Sequence, residues 1–346
     1  MKIRVNASKS YDVWIEKGAR LGVADELKER GFKGKVAVIS DSNVAPLYSE
    51  EMCDYLAYAG FEPYSFVFEA GEESKNLSVY AKILSFLAEE EFTRTDTVLA
   101  LGGGVTGDMA GFAAATYMRG VRFVNVPTTL LAAIDSSVGG KTAVDLPQGK
   151  NLVGAFYQPD LVVCDTDFFK TLPYDEIRNG LGEGVKYAVL EGGRIFDILK
   201  QGITSENLDE FISLSIDAKR RIVEEDEKES GARKFLNLGH TIAHAVEKES
   251  NYSVPHGLAV AYGIKLMADT AKKRGELSEK DHSEIVSLLE KSDLSVDLMP
   301  LCDLIPHFSA DKKRAGERLT LVTILGIGDC RLKEIALSEA NEYFGV

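Results

Sequence analysis

The chain has 346 residues, 45% hydrophobic and 27% charged, which exceeds what one hydrophobic core organises and predicts two soluble domains rather than a disordered or fibrous chain. Forty Lys and Arg against 54 Asp and Glu give a formal charge of -14, which argues against broad nucleic-acid binding. That balance leaves room for one small phosphorylated substrate in a local cationic pocket.

Met1-Lys-Ile-Arg-Val-Asn6 alternates charged and apolar residues without an apolar h-region, so no signal peptide is expected; no uninterrupted apolar run is long enough to cross a bilayer, and the expected location is the cytoplasm. Cys53, Cys164, Cys302 and Cys330 are widely separated and read as free thiols of a reducing compartment. Short apolar runs at Lys35–Asp41, Thr97–Leu101 and Arg122–Val126 read as buried parallel strands, with a helical pattern from Leu77 to Phe92 among them. Strand–helix alternation implies a parallel sheet covered by helices, and an α/β nucleotide-binding domain is expected over residues 1–166. Amphipathic stretches at Glu206–Glu227, Thr241–Lys248, Leu258–Arg274 and Glu279–Lys291 then predict a mainly α-helical domain over residues 167–346, interrupted by a β-branched run at Leu319–Ile324. The active site is expected in the cleft between the two.

Gly102, Gly104 and Gly107 fit G-x-G-x-x-G after a predicted strand and before a small-residue helix, Asp108 to Tyr117. Such a turn brings backbone amides close to a pyrophosphate at a helix N-terminus. No acidic residue ends a strand about twenty residues later, where ribose recognition is expected; Asp41, ending an earlier strand, is available for it. Gly140-Lys141-Thr142 imitates the end of a P-loop, but Asp135 replaces the first glycine, which excludes a Walker A motif. A glycine-flanked Lys141 followed by Lys150 and Asn151 suits a phosphate or carboxylate ligand.

Three of the five histidines, His240, His244 and His256, fall close together, and His240 and His244 stand one helical turn apart. The H-x-x-x-H pair alone fits core or surface histidines as well as ligands. His256 and a carboxylate from elsewhere, best Glu183 between Gly182 and Gly184, would complete a metal site. His282 reads as solvated on a charged helix, and His307 carries no role. Lys186, Lys219 and Arg233 lie nearby, and Arg233, Asn237 and His240 would share one face if their segment were helical throughout.

These blocks together resemble the 3-dehydroquinate synthase family of sugar-phosphate cyclases. Gly102-Gly-Gly-Val-Thr-Gly-Asp108, Pro127-Thr-Thr-Leu130, Asp135-Ser-Ser-Val-Gly-Gly-Lys141, Gly149-Lys-Asn151, Asp226-Glu-Lys-Glu229, Asn237-Leu-Gly-His-Thr241, His256-Gly257 and Asp311-Lys-Lys313 are similar to the family's motifs in order and spacing from Asp41 to Lys313. Gly182 and Gly184 depart from the alanine and valine more usual there, as Ile242-Ala243 does from Phe-Gly.

The resemblance implies a homodimeric lyase of the shikimate pathway that converts 3-deoxy-D-arabino-heptulosonate 7-phosphate (DAHP) to 3-dehydroquinate and phosphate. It implies tightly held NAD and one divalent metal, zinc or cobalt, on Glu183, His240 and His256, with His244 a neighbour in the site. It places the nucleotide on Asp41, Asn43, Glu72, Lys75, Gly103, Gly104, Val105, Asp108, Thr128, Thr129, Leu131 and Asp135. Lys141, Lys150, Asn151, Phe168, Thr171, Leu172 and Glu176 match further cofactor contacts. Substrate contacts carry over to Asp135, Lys141, Lys150, Asn151, Lys186, Lys219, Arg233, Asn237, His244 and the Lys312/Lys313 pair, and Arg119 matches a residue that reaches the neighbouring subunit's substrate phosphate. Lys141, Lys186, Lys219, Glu229, Arg233, Asn237 and His244 are the candidate catalytic groups, although Glu229 and Arg233 also fit a plain i,i+4 ion pair. The implied chemistry is oxidation, phosphate elimination, reduction, ring opening and aldol closure. Another sugar-phosphate cyclase, a metal-dependent polyol dehydrogenase and a non-catalytic NAD sensor are the rival readings.

Overall fold

The computed structural model describes residues 1–295, 297, 299–310 and 318–346. The chain divides into two compact units, Met1–Leu172 and Pro173–Val346.

The first unit runs β1 (Lys2–Asn6), β2 (Ser10–Ile15), α1 (Val23–Glu29), β3 (Lys35–Asp41), α2 (Ala45–Tyr58), β4 (Glu62–Phe68), α3 (Leu77–Glu89), β5 (Thr97–Gly102), α4 (Gly104–Thr116), β6 (Arg122–Pro127), β7 (Lys141–Leu146), β8 (Gly149–Phe156) and β9 (Leu161–Cys164). Seven strands form one sheet in the order β1-β2-β9-β6-β5-β3-β4. It is parallel except for the β1–β2 pair at its edge. Alternate residues point to opposite faces: Val36, Val38, Leu99 and Leu101 pack with Leu27, Met52 and Leu56, whereas Ala37, Ile39, Val98 and Ala100 pack with Ile83, Leu87, Met109 and Ala113. With both faces covered, central strands have no polar side to show, which is why they read as continuous apolar runs.

β7 and β8 form a separate antiparallel hairpin with a register shift between Val144 and Leu146. Lys141 therefore opens a strand, and Lys150 and Asn151 lie on its partner. The 166/167 division expected from sequence falls at a short 3-10 turn, Thr166–Lys170, that the first unit holds. Phe168 is buried in that unit's core with Tyr48 against its edge at 4.7 Å, and Asp165 accepts from the Gly18 and Arg20 amides and from the Arg20 side chain.

The second unit is mainly helical: α5 (Tyr174–Glu191), α6 (Gly193–Gln201), α7 (Leu208–Glu225), α8 (His240–Glu249), α9 (His256–Lys273) and α10 (Glu279–Lys291), with short helical turns and the antiparallel hairpin β10 (Arg318–Gly326) and β11 (Asp329–Ala336). α5 carries the exposed Tyr174 and Asp175 at its start and a buried stretch from Gly182 to Val189. Among the described residues no helix is long and apolar enough to cross a membrane. The four cysteines are free; Cys164 is buried and Cys302 exposed.

Candidate active site

Helices α5, α8 and α9 bring Glu183, His240 and His256 together, with one ligand atom from each within 4.8 Å of the others. Glu183 Oε1 lies 3.1 Å from His256 Nε2 and 3.3 Å from His240 Nε2. Each ligand has a glycine beside it in the chain, and those glycines let the backbones close up. A Cβ on Gly182 would stand 2.0 Å from the Gly257 carbonyl oxygen, and Gly263 of α9, where a Cβ would stand 2.1 Å from the Gly239 carbonyl oxygen, does the same for the backbone before His240. The glycine at 182 is thus a departure from the family pattern that this packing uses.

Glu183 is fully buried, and its Oε2 has no hydrogen-bond partner although Lys186 Nζ lies against it as an ion pair. Burial alone would raise the Glu183 carboxyl, but Lys186 and the two imidazoles outweigh it and hold it well below the usual range. Burial likewise works against a charged His256, yet the Glu183 and Glu247 carboxylates push its pKa up to about 10. A metal entering here displaces a proton from that ring. Two imidazole nitrogens and one buried carboxylate fit zinc or cobalt and leave a position for a fourth ligand. His240 Nδ1 is engaged by the Leu238 carbonyl at 3.1 Å, which aims its Nε2 at the site. His244 stands beside His240, ring centroids 5.7 Å apart, outside the three-residue cluster.

The cations of this unit are not solvated in the way single helix lysines usually are. Lys186, Lys219 and Arg233 are 2%, 6% and 2% exposed. The segment before His240 is not one helix: Ala232–Asn237 forms a 3-10 stretch, and Gly239 at φ 77 breaks it from α8. Arg233, Asn237 and His240 therefore do not share a helical face, and Gly239 turns the chain where a Cβ would stand 2.8 Å from the Val260 carbonyl oxygen of α9. Asp226 builds the preceding loop by accepting from the amides of Ser230, Gly231 and Arg233. Arg233 donates to the Glu227 carbonyl, and Asn237 Nδ2 donates to Glu229 Oε1 at 3.0 Å. His282, read as solvated, instead meets Asp269 at 2.7 Å with 14% of its side chain exposed, and His307 pairs with Glu249. Lys312 and Lys313 lie outside the described residues.

In the first unit the glycine turn joins β5 directly to α4. Side chains at its glycines would meet neighbours closely: Gly102 against Thr106 Oγ1 at 2.4 Å, Gly103 against Thr129 at 3.2 Å and Gly104 against Ser136 at 3.2 Å. Val105 is half-buried on the first turn of α4. Asp41 ends β3 and receives the Asn43 and Val44 amides and the Thr106 hydroxyl. Thr128 is buried with an unpartnered Oγ1, whereas Thr129 Oγ1 accepts from the Ala132 amide. Leu131 and Asp135 are half-buried around the π-helical turn Ala132–Ser136.

The β7–β8 hairpin meets the turn Glu72–Ser74 in a charged network. Lys75 Nζ lies 2.6 Å from Asp108 Oδ2 and donates to Asn151 Oδ1 at 2.7 Å. Lys150 Nζ is 3.3 Å from Glu72, and Asp145 accepts from the Asn151 amide at 2.6 Å. Burial would lower the Lys75 pKa, but Asp108, Glu72 and Asp145 overcome it and raise it. Thr171 is exposed and bonds Tyr48 at 2.5 Å, Leu172 is half-buried, and Glu176 is exposed on the first turn of α5. Arg119 and Lys141 are exposed, Arg119 with φ 68. Glu247 and Asp145 belong to none of the sequence motifs; the one sequence signal for Glu247 is its place two helical turns beyond His240 on the same helix.

The sequence matches the family model for the 3-dehydroquinate synthase N-terminal region over residues 65–179 and that for the 3-dehydroquinate synthase C-terminal region over residues 180–314. It is 42% identical over 352 residues to 3-dehydroquinate synthase of Streptococcus gordonii, covering 99% of each chain. The chain belongs to the 3-dehydroquinate synthase family. Solved structures similar to this family member include a 2-deoxy-scyllo-inosose synthase complexed with carbaglucose-6-phosphate, NAD+ and Co2+, with a TM-score of 0.90, 26% identity and 99% of both chains covered. A 2-epi-5-epi-valiolone synthase from Streptomyces hygroscopicus, with NAD+ and Zn2+ bound, shares the fold at a TM-score of 0.87 and 24% identity over 99% of this chain and 98% of that one.

Proposed function

We propose that this chain is an NAD- and metal-dependent lyase that converts DAHP to 3-dehydroquinate and phosphate. The observation that carries this reading is the Glu183, His240 and His256 cluster with the buried Lys186 against Glu183, on a chain that matches 3-dehydroquinate synthase along its length. When bound, a divalent metal supplies Lewis acidity toward substrate hydroxyls and NAD supplies a reversible hydride acceptor.

The protein's own groups then have separable tasks. Glu183, His240 and His256 hold the metal. Lys186, Lys219 and Arg233 offer buried positive charge to the substrate's carboxylate, hydroxyls and phosphate, where low solvent access makes each contact stronger. Asn237, fixed by Glu229, presents its side-chain amide to a substrate hydroxyl. His244, beside His240, is placed to hold or pass a proton. The Lys75, Asp108, Lys150 and Asn151 network, Asp41, Thr128 and the glycine turn hold NAD, with Asp135, Lys141, Phe168, Thr171, Leu172 and Glu176 as further contacts. Arg119 serves a neighbouring subunit's phosphate in a cytoplasmic homodimer.

Incubating the protein with zinc or cobalt, catalytic NAD and DAHP while following phosphate and nicotinamide absorbance tests this. Phosphate release without accumulating NADH is expected; stoichiometric NADH identifies a dehydrogenase instead. The likeness to a synthase complexed with a carbocyclic hexose phosphate makes a phosphorylated hexose the second substrate to run. Turnover of that sugar in place of DAHP assigns the chain to another cyclase activity.

A further inference from the structure

We infer that Glu247 is a positioning residue for the metal centre, holding the His256 imidazole so that its Nε2 faces Glu183. This rests on the reading of Glu183, His240 and His256 as metal ligands. An imidazole has two nitrogens, and the one that binds a metal is set by what the other one meets. His256 Nδ1 meets Glu247 Oε1 at 3.3 Å, and its Nε2 lies 3.1 Å from Glu183 Oε1. Glu247 is only 6% exposed, so its charge needs a partner, and the imidazole N–H supplies one.

The two histidine ligands are thus held differently. His240 Nδ1 faces a neutral carbonyl, Leu238, whereas His256 Nδ1 faces a carboxylate. A carboxylate makes the ring a stronger electron donor than a carbonyl does. Glu247 also anchors the connection that delivers His256. Its carbonyl accepts from the Tyr252 amide at 2.7 Å and from the Ser250 hydroxyl at 3.1 Å. Asn251 and Tyr252 there have φ of 50 and 62, a left-handed pair of non-glycine residues that needs such tethers. One residue of α8 therefore fixes both the backbone entering α9 and the ring that opens it.

The test is a Co2+ titration of the full-length wild type, Glu247→Gln and Glu247→Ala, followed by visible absorption, with the melting temperature before metal addition and the NAD affinity measured in parallel. The Co2+ Kd should rise about 10- to 100-fold in Glu247→Ala, with an altered cobalt spectrum. Glu247→Gln should fall between it and wild type, because its amide oxygen still accepts from Nδ1. NAD affinity should not change. Wild-type Kd and spectrum in both folded variants overturn the inference, as does a drop in melting temperature with unchanged Co2+ affinity, which reduces Glu247 to a structural ion pair. If Glu247→Ala does not fold, the Kd of Glu247→Gln decides. A wild type that takes up no metal overturns the ligand reading and this inference together, whereas normal Co2+ uptake without DAHP turnover removes the proposed reaction alone.

Discussion

Gly257 lies so close to α5 that a Cβ on it would stand 1.8 Å from the Asn179 carbonyl oxygen, and its amide donates to the Asn179 side chain at 2.7 Å. That contact seats the first turn of α9, with His256 in it, against the helix that carries Glu183. Gly257→Ala must push the helices apart. We expect a loss of about 1–3 kcal/mol of stability, typical of overpacking, and at least about tenfold weaker metal binding, since ligand geometry and affinity move together. Urea denaturation and zinc content after dialysis check both.

His256→Ala separates metal binding from nucleotide binding. It should lose bound metal and DAHP turnover and keep NAD affinity, because the glycine turn and the Lys75 network belong to the other unit. Metal analysis and an NAD titration on one preparation suffice. Normal metal content would remove His256 from the ligand set.

Lys75→Ala leaves Asp108 and Asn151 without their shared cation. Breaking one side of a buried ion pair costs about 3–5 kcal/mol, and the partial exposure of Asp108 places this pair near the lower end. The expected result is about 3 kcal/mol of lost stability, together with weaker NAD binding. Denaturant unfolding should show a lower midpoint at an unchanged slope.

Asp226 sets an acid limit. Burial would raise its carboxyl, but the amides of Gly231, Ser230 and Arg233 outweigh it and depress the pKa below the ordinary 3.8. The ionised form is therefore favoured by folding: its stabilisation is fully present above 3.8 and is lost as pH falls toward the depressed value. Asp226→Asn should flatten stability against pH below about pH 4. It should also raise the KM for DAHP, because the loop it ties down carries Glu229 and Arg233. Unfolding at several pH values and steady-state kinetics measure the two effects.

Arg119 keeps an unfavourable backbone, φ 68 between Met118 at 49 and Gly120 at 121, while its side chain is exposed. That exposed guanidinium is the group proposed to serve the neighbouring subunit's phosphate. Arg119→Gly should gain about 1 kcal/mol of stability and lose turnover. Mixing Arg119→Ala with His256→Ala subunits should restore part of the activity if the arginine acts on the neighbouring subunit. No restoration in mixed dimers removes the trans contact.

Strands β3, β5 and β6 were legible because both of their faces are buried and nothing polar interrupts them. β4 was not, since as an edge strand it is half exposed and mixes Glu62, Pro63 and Ser65 into its run. The β7–β8 hairpin was hidden because its lysines and glycines have the composition of a loop. Helices α7 to α10 announced themselves through an apolar stripe; α5 did not, because Gly180, Gly182 and Gly184 are poor helix formers, and the packing that calls for Gly182 and Gly184 is tertiary.

By itself the sequence determined the order of buried and exposed runs, and through its ordered motifs the family and the residues worth testing. Tertiary structure alone decided that Glu183 and His256, 73 positions apart, become neighbours, and that Lys186, Lys219 and Arg233 lose solvent. The reason is physical. A chain pattern records which side chains prefer to leave water, but the distance between two helices is set where their surfaces meet, here at Gly182 and Gly257, and no local preference of either helix contains it.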